Sequence, residues 1–142
     1  MSLDVYLSRN RSRDELPEMA KAVELLRQNG FEDAAFDLEC RHDCRDYDEL
    51  FSSNITHNLG EMAAAAGIYE HCWHPDRLGI TKAGQLIEPL RAGLALLRSD
   101  PKRFEKYNSP NGWGLYEHFV PWLASYLSAC EQYPDADVRA CA

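Results

Sequence analysis

The run from Asn54 to Tyr69 constrains this chain most, because it joins a strongly apolar helical stripe to an unusually polar start. Ile55, Leu59, Met62 and Ala66 recur at the spacing of one buried helix face. Such a face is stable only against another apolar surface, and the small side chains of Ala63 to Ala66 let that surface come close. Gly67 supplies the left-handed residue that ends a helix. Gly60 costs about 1 kcal/mol against alanine inside a helix, so close packing or a ligand should require it. The pattern predicts a helix beginning at Ser53 or Asn54, with Asn54, Thr56, His57 and Asn58 crowded into its first turn.

The rest of the chain supplies partners for that helix. Leu3, Val5 and Leu7 alternate with polar neighbours, predicting a strand over 2–8. Ser12 or Asp14 as cap, Pro17 in the first turn and an Asn29-Gly30 stop predict a helix over about 14–29, with Met19, Val23 and Leu26 on its apolar face. Phe36 and Leu38 alternate with Asp37 and Glu39, predicting a second strand before a Cys40–Cys44 turn. Tyr47, Glu49 and Phe51 then predict a short third strand returning antiparallel to it.

A short turn is expected over 68–73, and a longer helix capped by Thr81 carries Leu86, Leu90, Leu94 and Leu97, kinked at Pro89. Asp100-Pro101 signals a fresh short helix, and Asn108 to Gly114 has loop chemistry throughout. A last helix carries Phe119, Leu123 and Leu127, with Pro121 kinking it early, before a terminal strand over 136–141 beside the first. The fold class is therefore α+β: a single domain over 1–142, with a small, mostly antiparallel sheet packed against about four to five helices, and 9–35 as a candidate helical insertion.

Fifteen Lys and Arg against twenty-three Asp and Glu give a net charge of −8, which repels a phosphate backbone and argues against direct nucleic-acid binding. No apolar run reaches membrane-spanning length, and the five cysteines, an odd number, fit a reducing cytoplasm better than a disulfide framework. Cys40, His42 and Cys44, with His71, Cys72 and His74, are zinc candidates, but their spacing matches ribbons and fingers only loosely, so no cofactor is expected.

No motif fixes a catalytic nucleophile beside a base, and no catalytic residue is assigned. Asn54 and Asn58, one turn apart, would share a helical face flanked by Thr56 and His57, where amides read polar edges and helix-start N–H groups favour anions. An aromatic such as Trp113 or Trp73 would complete a site for a planar, phosphorylated molecule, although helix capping alone also explains Asn and Thr there.

The motifs Asn54-Ile-Thr-His-Asn-Leu59, Ala66-Gly-Ile-Tyr69, Trp73-His-Pro75, Leu86-Ile-Glu-Pro-Leu90 and Asn111-Gly-Trp-Gly114 together resemble a family of short uncharacterised proteins of phage and bacterial genomes. The resemblance covers residues 4–7 and then about 47 to the end. It implies that the 54–58 turn and Trp113 form one site, and that the helix near 14–29 is inserted relative to shorter members. The expected function is a non-enzymatic binding domain holding a small polar or nucleotide-like ligand through Asn54, Thr56, His57, Asn58, Asn111 and Trp113. Two alternatives stand beside it: an acidic inhibitor of a host protein using Asp43, Asp46, Asp48 and Glu49, and a small hydrolase with His57 as base. Oligomeric state is not legible in the sequence.

Overall fold

The computed structural model describes residues 1–12, 14, 16, 18–41 and 45–142. Pro17, His42, Asp43 and Cys44, with the parts assigned to them above, lie outside that set. The chain is an α+β domain. It divides into two compact units, a larger one of residues 1–8 and 49–142 and a smaller one of residues 9–48.

In the larger unit the alternation at the N-terminus does what its period requires. Strand β1 (Ser2–Asn10) buries Leu3, Val5 and Leu7 completely and turns the intervening residues outward. It is the middle strand of a three-stranded antiparallel sheet, with β2 (Tyr47–Thr56) on one side and β3 (Asp137–Cys141) on the other. The β1–β3 register sets Val5 opposite Ala140 and Leu7 opposite Val138.

Between β2 and β3 lie α3 (Gly60–Ala65), α4 (Tyr69–Trp73), α5 (Ile87–Ser99), α6 (Pro101–Glu105) and α7 (Tyr116–Gln132). Helices α5 and α7 pack together, and Tyr116 at the start of α7 donates its hydroxyl to the Leu97 carbonyl at 2.8 Å. Phe51 of β2 stacks on Tyr126 of α7 with ring centroids 6.0 Å apart, so the sheet closes over the same core. Asp100 caps α6 by accepting from the Arg103 amide at 3.3 Å, as the Asp-Pro signal required.

Several expectations are corrected. Residues 32–41 form a helix, α2 (Glu32–Arg41), and not a strand. Two apolar residues two apart fit either period, and here Asp37 pairs with Arg41 one turn on at 2.8 Å while Ala35 alone in α2 is buried. The third strand consequently has no hairpin partner there; β2 runs beside β1 and continues to Thr56.

That continuation moves the helix start. Asn54 sits on a strand and Thr56 ends it, His57–Leu59 forms a 3-10 turn, and α3 begins only at Gly60. Asn54 and Asn58 therefore do not share a helical face, and the helix-start argument for anions does not apply to them. The buried stripe survives, with Leu59 and Met62 fully buried and Ile55 and Ala66 nearly so. Gly67, at φ 75°, follows α3 as expected.

Likewise, Thr81 does not cap the long helix. A 3-10 turn over Ala83–Leu86 precedes α5, whose third residue is Pro89. Pro89 thus falls in the first turn of α5, where proline is tolerated, and not in the helix interior that the expected kink assumed.

The smaller unit is a helical hairpin, α1 (Glu18–Gln28) against α2. Val23 of α1 is buried, whereas Met19, expected on the same face, is exposed. Arg9 and Arg11 both bond Asp48, at 2.5 and 2.6 Å, beside the point where the chain re-enters the sheet.

Candidate functional site

The end of β2 and the turn after it face the 106–114 segment within the larger unit. Asn58 links the two: its side-chain amide donates to the Trp113 carbonyl at 2.8 Å. The loop's own shape is set by Asn111, whose side-chain oxygen accepts from the Trp113 amide at 2.9 Å and from the Ser109 hydroxyl at 2.7 Å. Gly114 is needed where the segments meet. Its φ is 110°, and a Cβ there would lie 2.9 Å from that of Asn58.

Two clefts flank this link. One, of about 970 Å³, is bordered by Asn54, Thr56, Asn58, Asn111, Trp113 and His118. The other, of about 720 Å³, runs on the far side of Asn58 past His57, Glu61, Tyr69, Lys106 and Tyr107. Five of the six candidate residues thus border the first cleft, whereas His57 opens on the second and Asn58 on both.

Within the first cleft, Asn54 is engaged across the sheet, donating to Asp4 at 2.6 Å. Thr56 caps the 3-10 turn, its hydroxyl accepting from the Asn58 amide at 3.4 Å. Trp113 is 71% exposed, an open indole face at the rim and not a buried structural tryptophan.

The second cleft has a fixed aromatic wall. Trp73 is buried, and Tyr69 stacks on it with centroids 5.2 Å apart and an interplanar angle of 18°. Gly60 explains itself here, since a Cβ would come within 3.2 Å of the Tyr69 ring. Trp73 also donates its indole N–H to His57 Nδ1 at 3.1 Å. An accepting Nδ1 carries no proton, so this hydrogen bond assigns the hydrogen of the neutral imidazole to Nε2. Lys106 lies 5.0 Å above the Tyr107 ring, a cation held at the opposite wall.

The geometry bears on the hydrolase alternative, whereas His42 and Cys44 of the first zinc candidate group lie outside the described residues. A His57 general base would need a free lone pair on Nε2, yet the bond to Trp73 makes Nε2 the donor. Among the described residues no group of three or more His, Cys, Asp or Glu is arranged to hold a metal. Cys72 is fully buried, and burial pushes its thiol well above the ordinary range, which makes it an inert core side chain in the metal-free chain.

Sequence reasoning missed Tyr69, Lys106 and Tyr107 as cleft walls. The conformational cost of Gly60 was a signal for Tyr69; nothing in the sequence marked the Lys106-Tyr107 pair. Comparison with family models, with curated proteins and with solved structures gave no match.

Proposed function

We propose that the chain is a non-enzymatic binding domain that holds a small polar ligand of nucleotide-like character beside the 57–61 turn. The observation that carries this reading is the union of parts at Asn58. A hydrogen-bonded link joins the His57-Asn58 turn to the 106–114 loop, and a 720 Å³ cleft beside it combines aromatic faces with a few polar groups. Small-molecule sites commonly have that size and mixed lining. The resemblance noted above adds a phage or bacterial setting. The four described cysteines are free, which suits a reducing cytoplasm.

The acidic-inhibitor reading receives less support. Asp48 is occupied by Arg9 and Arg11, and Glu49 accepts from Ser52 at 2.8 Å, so two of its four carboxylates have local partners.

Titration calorimetry with a panel of nucleotides and nucleosides tests the binding reading. A saturable heat is expected with the wild-type chain. Asn58→Ala should weaken it at least about tenfold, equivalent to about 1.4 kcal/mol. No heat across the panel, with Asn58→Ala indistinguishable from wild type, would remove the reading.

A further inference from the structure

We infer that the cleft beside His57 takes a flat aromatic ring bearing a single phosphate, the chemistry of a nucleoside monophosphate, and that Trp73 imposes this choice by holding His57 as a hydrogen-bond donor. The inference rests on the binding reading above and narrows it. An indole N–H can only donate, so the 3.1 Å bond from Trp73 fixes His57 Nδ1 as acceptor and leaves Nε2–H as the remaining donor of a residue that borders the cleft. Nε2 has no hydrogen-bond partner among the described residues.

The same indole supports Tyr69 by stacking, so one buried side chain positions both the donor and an aromatic wall. Lys106, which borders the same cleft, adds a second donor. Two donors without a nearby competing acceptor would suit any anion, but Glu61 borders the same cleft. Its carboxylate can accept from a sugar hydroxyl or a base amino group. It also repels added negative charge, which favours one phosphate over a chain of them. The Tyr69 and Tyr107 rings then provide the faces against which a base stacks.

Trp73 is thus a positioning residue, and its role has a spectroscopic signature independent of any ligand. Long-range proton–nitrogen NMR spectra of histidine-labelled full-length protein should assign the His57 proton to Nε2. In Trp73→Phe the ring should become a mixture of tautomers. Calorimetry with adenosine monophosphate, adenosine and inorganic phosphate reads the ligand class. The monophosphate should bind about tenfold more tightly than adenosine, the gain expected for a charge-assisted hydrogen bond. Lys106→Ala and His57→Ala should reduce it to the adenosine level.

If Trp73→Phe does not fold, His57→Gln and His57→Asn replace it. Gln extends an N–H toward the Nε2 position and should retain part of the phosphate preference, whereas Asn should lose it. A His57 proton on Nδ1, or equal affinity for adenosine and its monophosphate, would overturn the inference while leaving a binding domain. No binding by any member of the panel would overturn both.

Discussion

The two compact units obey different stabilising rules. In the larger one, Leu59, Leu86, Leu90, Phe104 and Phe119 are wholly buried in a common core with the inward face of β1. Among the described residues of the hairpin unit only Ala20, Val23 and Ala35 are buried, while Leu25, Phe31 and Phe36 are each more than 60% exposed. Surface ion pairs decorate the hairpin instead, Arg27 with Glu39 at 2.6 Å and Arg41 with Asp37 at 2.8 Å among them. Burial of one large apolar side chain is worth about 1.5–3 kcal/mol, whereas an exposed ion pair is typically worth about 0–1 kcal/mol. The two clefts around Asn58 are thus walled entirely by the more densely buried unit.

Truncation in the two cores should break or keep this contrast most visibly. Phe119→Ala is expected to cost about 3–5 kcal/mol in urea unfolding, since it leaves a cavity in α7's packed face. Val23→Ala in the hairpin should cost about 1–2 kcal/mol, the loss of two methyl groups. Equal costs would abolish the distinction. Hydrogen exchange sharpens it: amides over 18–41 should exchange at least about tenfold faster than those at the centres of α5 and α7, because local opening tracks sparse burial.

Gly60→Ala separates scaffold from site within the larger unit. Alanine regains up to about 1 kcal/mol of helix propensity, and Tyr69 must shift by a few tenths of an ångström, so thermal stability should change little. Ligand binding measured on the same sample should weaken several-fold. A stability loss with unchanged affinity would assign Gly60 to packing alone.

The smallest effect concerns acid. Hydrogen bonds from Arg11 and then Arg9 hold the Asp48 carboxyl below its ordinary value. A depressed native pKa means that the stabilising contribution is complete above the unfolded value of about 3.9 and is lost as pH falls through the lower native value. Asp48→Asn should therefore flatten the pH dependence of stability below about pH 4, by a small amount because the pair faces solvent. An unchanged acid limb, monitored by circular dichroism, would show that the pair contributes nothing.

The sequence was most legible where a single period ruled. Leu3, Val5 and Leu7 have no reading other than a strand, and Asp100-Pro101 combines two independent start signals. It was least legible where one apolar residue serves two periods. Ile55 is buried either as the outer end of a helical stripe or as the inward residue between Asn54 and Thr56 on a strand, and the strand prevails because β1 lies beside it. Phe36 and Leu38 pose the same ambiguity, and the segment is a helix against α1 with Ala35 buried and Phe36 exposed. Residue chemistry offers Trp113 or Trp73 beside the 54–58 turn and the motif resemblance favours Trp113, because fifty-five residues separate Asn58 from Trp113 and local patterns carry no information over that distance. The Trp73–His57 bond spans sixteen residues and is likewise invisible to local patterns, although both residues are candidates by type.

The most direct test of the site is a proton–nitrogen correlation spectrum recorded during titration with adenosine monophosphate. Shifts are expected to centre on the amides of 57–61, 69 and 106–109, with those of 18–41 unmoved. A spectrum that does not change, or whose shifts centre on the hairpin, would contradict the binding reading.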